Sequence, residues 1–261
     1  MTEQKPAKAV VKTIRLLECL SKENELGVTD LAKSAGMNKS TVYRFLNSLK
    51  ELGYVRQNPR SERYSLTLKL FELGSIVLDR MELWKEAPPI IEKLAEQTHE
   101  TVHLAVLDEG KLVYLGKIES TQALRVSMMS RVGQSAPTYC TGVGKILLVH
   151  LPPDRLDESL NREGLHRFTD NTITDRAQLQ KELEGVRQNG FAIDNEEHEV
   201  GVKCVAAPVR NNGGQVFAAL SISIPSVRFT NSEIPHYKQL VTTLACEISK
   251  RLGAPDKILP A

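Results

Sequence analysis

The chain has 261 residues, a formal net charge of +2 and 41% apolar residues, enough for one large core or two modest ones. No run reaches the roughly 18 apolar residues of a membrane span. The start, MTEQKPAKAVVKTIRLLECL, lacks the unbroken apolar region and small-residue cleavage site of a signal peptide. Cys19, Cys140, Cys204 and Cys246 are far apart and form no CxxC pair. That argues against a disulfide framework or zinc finger and for reduced thiols in a cytoplasmic protein. The small net charge conceals an asymmetry: residues 1–75 hold 13 Lys or Arg against 8 Asp or Glu, and the remainder 21 against 24. A basic head on a slightly acidic body suggests two domains, with only the head facing a polyanion.

In chain order, AVVKTIRLLECLSKENELG places Val10, Ile14 and Leu17, with Val11 and Leu20, at helical spacing. VTDLAKSAG opens on Thr29, a good N-cap, buries Leu31, Ala32 and Ala35, and stops at Gly36. Asn38 caps the next helix, whose Val42, Phe45, Leu46, Leu49 and Leu52 form one stripe that Gly53 closes. Lys39, Ser40, Tyr43, Arg44 and Asn47 then crowd the outer face. After Gly53 the period falls to 2, and YVRQ and RYSL read as two strands around the turn formers NPRSE.

Helix, helix, turn, helix and hairpin is the order of a winged helix-turn-helix, which places its second motif helix in the major groove. The outer face has the chemistry for that: Lys and Arg for phosphate or guanine, Asn for adenine, hydroxyls for either. The expected DNA contacts are Thr29, Asn38, Lys39, Ser40, Thr41, Tyr43, Arg44 and Asn47, with Arg60 and Arg63 at the hairpin tip. Any surface helix has a polar face; the short connector, the wing and the basic balance together favour DNA.

LTLKLFELGSIVLDRMELW, Leu66 to Trp84, reads as a linker helix interrupted by Gly74, with Leu66, Leu70, Leu73 and Val77 on one stripe. Pro88 and Pro89 start the next helix. Beyond it come a hairpin turning at Asp108 to Gly110, a strand in ALRVSMM and a Gly-led helix in TGVGKILLVH. A helix in RAQLQKELEGVRQNG, strands around the Asn211 to Gly214 turn and a final helix over about 230–252 follow. Hairpins dominate, so the second domain is expected to be an α+β sheet rather than a doubly wound one. The boundaries expected are a winged helix-turn-helix over 1–74, a linker helix over 75–87, a GAF-like effector-binding domain over 88–255 and a tail over 256–261.

LGVTDLAKSAGMNKSTVYRFLNSLKELGYVRQNPRSERYSLTLKLFELG resembles the DNA-binding domain of the IclR family of bacterial transcriptional regulators. RVGQSAPTYCTGVGKILL resembles the family's pocket segment, and GFAIDNEEHEVGVKCVAAPV with FAALSIS its effector-domain signature. The chain is most similar to the family's group of 2-keto-3-deoxygluconate (pectin-degradation) repressors, sharing KSTVYRFL and YSLTLKLFELG. The resemblance implies a winged helix, a linker helix and a GAF-like domain. It implies homodimers and homotetramers on inverted-repeat double-stranded operator DNA, with a small organic acid modulating the affinity. Carried over, the pocket falls on Met128, Ala136, Gly142, Val143, Asp194, Val202, Cys204, Ser221 and Ser223. Ala136 is smaller than the family's usual Leu, and Arg125 stands where an apolar residue can stand. Both favour an acid larger than pyruvate, with Arg125 as a second carboxylate anchor.

The residues agree in part on their own. Gly142 and Val143 open a helix whose free N–H groups suit an anion. Ser221 and Ser223 lie two apart on a strand and so on one face, although SIS also reads as plain core.

An enzyme is the rival class. GVGK fails the phosphate-loop spacing, which needs Gly at Tyr139 and Ser or Thr at Ile146, and no GxSxG occurs. Cys140 and Cys204 with His198 suggest a thiol nucleophile or a metal pair, but a buried inert thiol is the commoner reading of a Cys between valines. DNEEHE is acidic enough for a cation and reads as a solvated loop. The expectation is therefore a DNA-binding regulator with no catalytic, metal or cofactor site, cytoplasmic and nucleoid-associated when bound to its operator. The alternatives are a small-acid-binding or thiol-dependent enzyme and, within the family, an activator or repressor responding to an aromatic acid.

Overall fold

The computed structural model describes residues 6–125 and 128–256, which divide between two units, Met1–Arg80 and Met81–Ala261. In the first, α1 (Lys8–Leu20), α2 (Val28–Ala35) and α3 (Lys39–Glu51) precede β1 (Val55–Gln57), β2 (Tyr64–Leu66) and α4 (Lys69–Asp79). Leu16, Leu20, Leu31, Val42, Leu46, Leu49, Val55 and Tyr64 form its core. The helix-turn-helix is cut as the sequence implies. Gly36 takes φ +64° at the end of α2, and the Asn38 carboxamide accepts from the Thr41 N–H at 2.8 Å to start α3. The strands pair antiparallel, Arg56 opposite Ser65, and together form the wing.

Two expectations in this unit are corrected. Thr29 does not cap α2. Leu26 is held extended by paired bonds with Tyr64 (2.9 and 2.8 Å), so the helix starts at once after Gly27 and Thr29 sits exposed in its first turn. The α1 stripe is rotated: Leu16, Cys19 and Leu20 are buried, while Val10, Val11 and Ile14 are 60%, 48% and 49% exposed.

The expected single helix from Leu66 to Trp84 is two, α4 and α5 (Glu82–Glu86), parted where Met81 turns extended at ψ 119°. Gly74 lies inside α4 without breaking it. No Gly or Pro marks the real break.

The second unit continues with α6 (Pro88–Thr98), β3 (Thr101–Asp108), β4 (Lys111–Ile118), β5 (Ser135–Ala136), α7 (Gly142–Val149) and α8 (Pro153–Glu163). Then come α9 (Arg176–Asn189), β6 (Ala192–Asn195), β7 (Val202–Arg210), β8 (Val216–Pro225) and α10 (Ile234–Arg251). The six strands form one antiparallel sheet in the order β5-β4-β3-β8-β7-β6, so the fold is α+β. Helices α6 and α10 pack on one face; α7 packs on the other, backed by α9. Helix α8 has no counterpart in the sequence reading.

The strand expected in ALRVSMM is also corrected. Val126 and Ser127 lie outside the described residues, and no described residue of that stretch is in a strand. Its backbone is held by side chains instead of a ladder: Lys117 Nζ donates to the Ser130 carbonyl at 2.8 Å, and the Arg228 guanidinium to the Leu124 carbonyl.

Candidate functional site

Helix α3 presents Lys39, Ser40, Tyr43 and Arg44 to solvent opposite its buried Val42, Leu46 and Leu49. Thr41 and Asn47 are half-buried. Asn38 is exposed, but its carboxamide oxygen is committed to the cap, accepting from the Thr41 N–H and, at 3.0 Å, from the Ser40 hydroxyl. Arg44 lays its guanidinium 5.6 Å from the Phe45 ring centroid, which leaves its fork of donors outward.

On the wing, Arg60 and Arg63 are exposed. Glu25 braces the tip, accepting from Asn58 at 3.0 Å and Ser61 at 3.1 Å; these bonds hold its carboxyl below the usual carboxylate range. Arg63 donates to the Glu25 carbonyl at 3.4 Å. Arg56, exposed on β1 with its Nε on the Ser65 hydroxyl at 3.1 Å, is a further basic side chain of the wing, outside the expected contacts. The period-2 alternation with buried Val55 was the signal for it.

The candidate effector site is built by the same period. Pairing sets Ser221 opposite His103 and Ala206, and Cys204 opposite Ser223 and Asp194. All side chains of one parity therefore share the face under the N-terminus of α7. Gly142 is needed there, because a Cβ would stand 3.2 Å from that of Ala206. At Gly144 a Cβ would run into the Thr138 backbone. Thr141 caps the helix, accepting from Gly144 N–H at 3.2 Å. That leaves the first-turn N–H groups of Gly142 and Val143, which no α-helix satisfies internally, at the head of the site.

These elements line a partly open cavity of about 30 Å³. Its walls include Met128, Gly142, Val143, Asp194, Val202, Cys204, Ser221 and Ser223, eight of the ten residues expected. Arg125 and Ala136 are not among them. Arg125 is exposed and reaches only the Ser120 carbonyl at 3.5 Å, because its stretch is not a strand; Ala136 packs against the core beneath α7.

The walls also include His103, Tyr114, Ser130, Thr141, His198 and Glu199, which the sequence reading did not place there. A lone His at an inward position of an apolar strand, TVHLAV, was the available signal for the first.

The chemistry is that of a hydroxyl-rich floor around a neutral imidazole. His103 lies between two hydroxyls, Ser130 at 2.9 Å from Nε2 and Ser223 at 3.3 Å from Nδ1, and Cys204 Sγ is 3.1 Å from Ser223. Burial, then the Lys117 charge, push the His103 pKa down to about 3, so the ring is neutral near pH 7. Burial raises Asp194 to about 7, against the bond it accepts from the Glu197 N–H at 2.8 Å.

Burial also pushes the Cys140 and Cys204 thiols up, the opposite of what a nucleophilic thiolate needs. Among the described residues no group of three or more His, Cys, Asp or Glu is placed to hold a metal ion. The DNEEHE stretch has partly turned inward: Glu197 and Lys145 pair at 2.6 Å, and Lys145, fully buried, also reaches Glu182 at 2.9 Å. Burial alone would depress Lys145; the two carboxylates more than offset it and raise it.

The family model of the IclR helix-turn-helix domain matches residues 9–59, and that of the bacterial transcriptional regulator IclR C-terminal domain matches residues 75–250. The HTH-type transcriptional regulator KdgR of Escherichia coli K12 is 43% identical over 248 residues, covering 95% of this chain and 94% of its own. KdgR of Dickeya chrysanthemi is 42% identical, with 95% and 81% covered. The crystal structure of Thermotoga maritima IclR superposes at a TM-score of 0.79 with 35% identity, covering 94% and 98%. These relatives are regulators and not enzymes, which agrees with the winged helix and with the protonated thiols. The chain belongs to the IclR family of transcriptional regulators.

Proposed function

We propose that the chain is a repressor of a carbon-catabolism operon whose effector is a sugar acid such as 2-keto-3-deoxygluconate. Residues 1–74 bind operator DNA, 75–87 link, and 88–255 bind the effector, in a bacterial cytoplasm. Lys39, Ser40, Thr41, Tyr43, Arg44 and Asn47 meet the major groove, while Arg56, Arg60 and Arg63 meet flanking phosphate. The acid's carboxylate lies on the N–H groups of Gly142 and Val143, and its oxygens on Ser221, Ser223 and Asp194. The carrying observation is the pairing of a helix N-terminus with a floor of neutral hydroxyls, which suits one carboxylate and several hydroxyls better than an apolar ring. The likeness to the KdgR proteins supports the same class of regulator.

The apolar faces left open on α1 and α4 support assembly. Leu68, Phe71 and Val77 are 81%, 72% and 62% exposed, and Val10 and Val11 of α1 in the same unit are exposed as well. A second copy covering them gives a homodimer on an inverted repeat, and effector-domain contacts a homotetramer.

A thermal-shift screen of organic acids tests the effector. A true effector at 100 times its Kd adds about 2.7 kcal/mol of stability. Stabilisation by 2-keto-3-deoxygluconate with no turnover of it is the expected result. Stabilisation by aromatic acids alone would overturn the sugar-acid reading.

A further inference from the structure

Ten of the walls' fourteen residues stand on regular elements or beside α7's cap, but Ser130 stands on irregular chain. Its backbone is tied by Lys117 Nζ at the Ser130 carbonyl and next at Gly133, whose N–H donates to the Tyr114 carbonyl; both bonds are 2.8 Å. The Ser130 hydroxyl nonetheless makes the shortest contact of the cavity's hydroxyl chain, 2.9 Å to His103 Nε2. Behind it the chain runs inward through the imidazole to Ser223 and Cys204, all on the sheet. The space within the walls, about 30 Å³ and partly open, takes roughly two waters, too little to bury a six-carbon acid. Some wall must yield on binding, and the sheet and α7 are held by ladders and core packing. Ser130, His198 and Glu199 are the polar walls off those elements, and of the three Ser130 is the one bonded to the His103 chain.

We propose that His103 reads a hydroxyl of the effector, and that the Ser130 hydroxyl occupies His103 Nε2 in the effector's place, so that effector binding displaces it. This rests on the proposed sugar-acid function and adds to it the group that selects hydroxylated acids. A neutral imidazole with one ring nitrogen donating and the other accepting suits a hydroxyl, which both donates and accepts; it offers a carboxylate no charge. The Ser130 hydroxyl is thus a built-in competitor of the same chemical class as the ligand. Its displacement leaves the backbone ties of that chain, the Lys117 bond to the Ser130 carbonyl and the Gly133 bond to the Tyr114 carbonyl, in place.

Calorimetric titration of the full-length protein tests this. The ligands are 2-keto-3-deoxygluconate and 2-oxohexanoate, an acid of equal carbon number that lacks the hydroxyls. Ser130→Ala deletes the competitor and leaves its carbonyl in place; it binds 2-keto-3-deoxygluconate several-fold tighter than wild type. His103→Phe binds it at least tenfold more weakly and 2-oxohexanoate within twofold. His103→Gln, whose amide reaches the Nε2 position, recovers part of the loss and guards against a folding defect. Weaker or unchanged binding in Ser130→Ala overturns the displacement. Equal losses for both ligands in His103→Phe overturn the hydroxyl reading. No binding of 2-keto-3-deoxygluconate by wild type overturns the sugar-acid function itself, and this inference with it.

Discussion

Arg44 and Leu46 lie two residues apart on α3 and face opposite ways, so a pair of alanine substitutions separates reading from folding. Arg44 is exposed, and its guanidinium touches only the face of Phe45 at 5.6 Å. Removing it takes no buried area from the core, and exposed substitutions of this kind stay within about 0.5 kcal/mol of wild-type stability. If Arg44 reads a base edge, operator affinity falls by about 1–3 kcal/mol, roughly 5- to 150-fold in Kd. Leu46 is 0% exposed among Leu16, Leu31 and Val42. Truncation to alanine costs about 2–5 kcal/mol through lost transfer energy and the cavity left behind. In a unit of this size each kcal/mol is about 4–8 °C, so its melting point falls by roughly 10 °C or more. Fluorescence anisotropy on operator DNA and calorimetric melting, run on both variants, read the two quantities. A stable Arg44→Ala that still binds operator within twofold of wild type refutes the recognition face. Arg44→Ala melting early while Leu46→Ala does not would mean that the helix is rotated.

Three further outcomes follow. Lys145→Met strands the buried Glu197 carboxylate without a cation and costs about 3–5 kcal/mol in urea unfolding, while Lys145→Met with Glu197→Gln recovers at least half; equal losses would show that the pair itself is not the issue. Asp194 has a folded pKa of about 7, above an unfolded value near 3.9, so the native state holds the extra proton between them and the stability this gives is lost as pH rises through 7. Relative to Asp194→Asn, wild type therefore gains roughly 2–3 kcal/mol between pH 7.5 and 5, and a gain in the other direction would contradict the assignment. Sedimentation at micromolar concentration should show a dimer or larger, with Phe71→Asp shifting it toward monomer; a monomeric wild type would remove α4 from the interface.

Local chemistry made most of the DNA-binding unit legible. Gly36, Asn38 and Gly53 are stop and start signals set within a turn or two, and the wing's alternation is a purely local period. The errors there are tertiary. Thr29 lost its cap because Leu26 pairs with Tyr64, 38 positions away, and the α1 stripe turned because the core takes Leu16, Cys19 and Leu20. In the second unit, polar residues on separate strands become neighbours only through register. Ser221 and Ser223 came from the family resemblance, and the strand period puts them, two apart, on one face. His103 and Ser130 were not, because nothing along the chain joins β3 to the segment before β5. Arg125 failed for a related reason: the strand-like alternation in ALRVSMM finds no ladder among the described residues, and distant side chains hold the backbone instead, Arg228 at Leu124 and Lys117 at Ser130 just beyond.

The central claim is that one sugar acid, seated under α7, governs operator affinity. Operator DNA selected from genomic fragments by the purified protein, then titrated by anisotropy with and without saturating 2-keto-3-deoxygluconate, tests it most directly. The account predicts operator affinity at least tenfold weaker with the acid. It also predicts that Ser221→Ala with Ser223→Ala abolishes the response and leaves effector-free binding unchanged. The same operator affinity with and without the acid would contradict it.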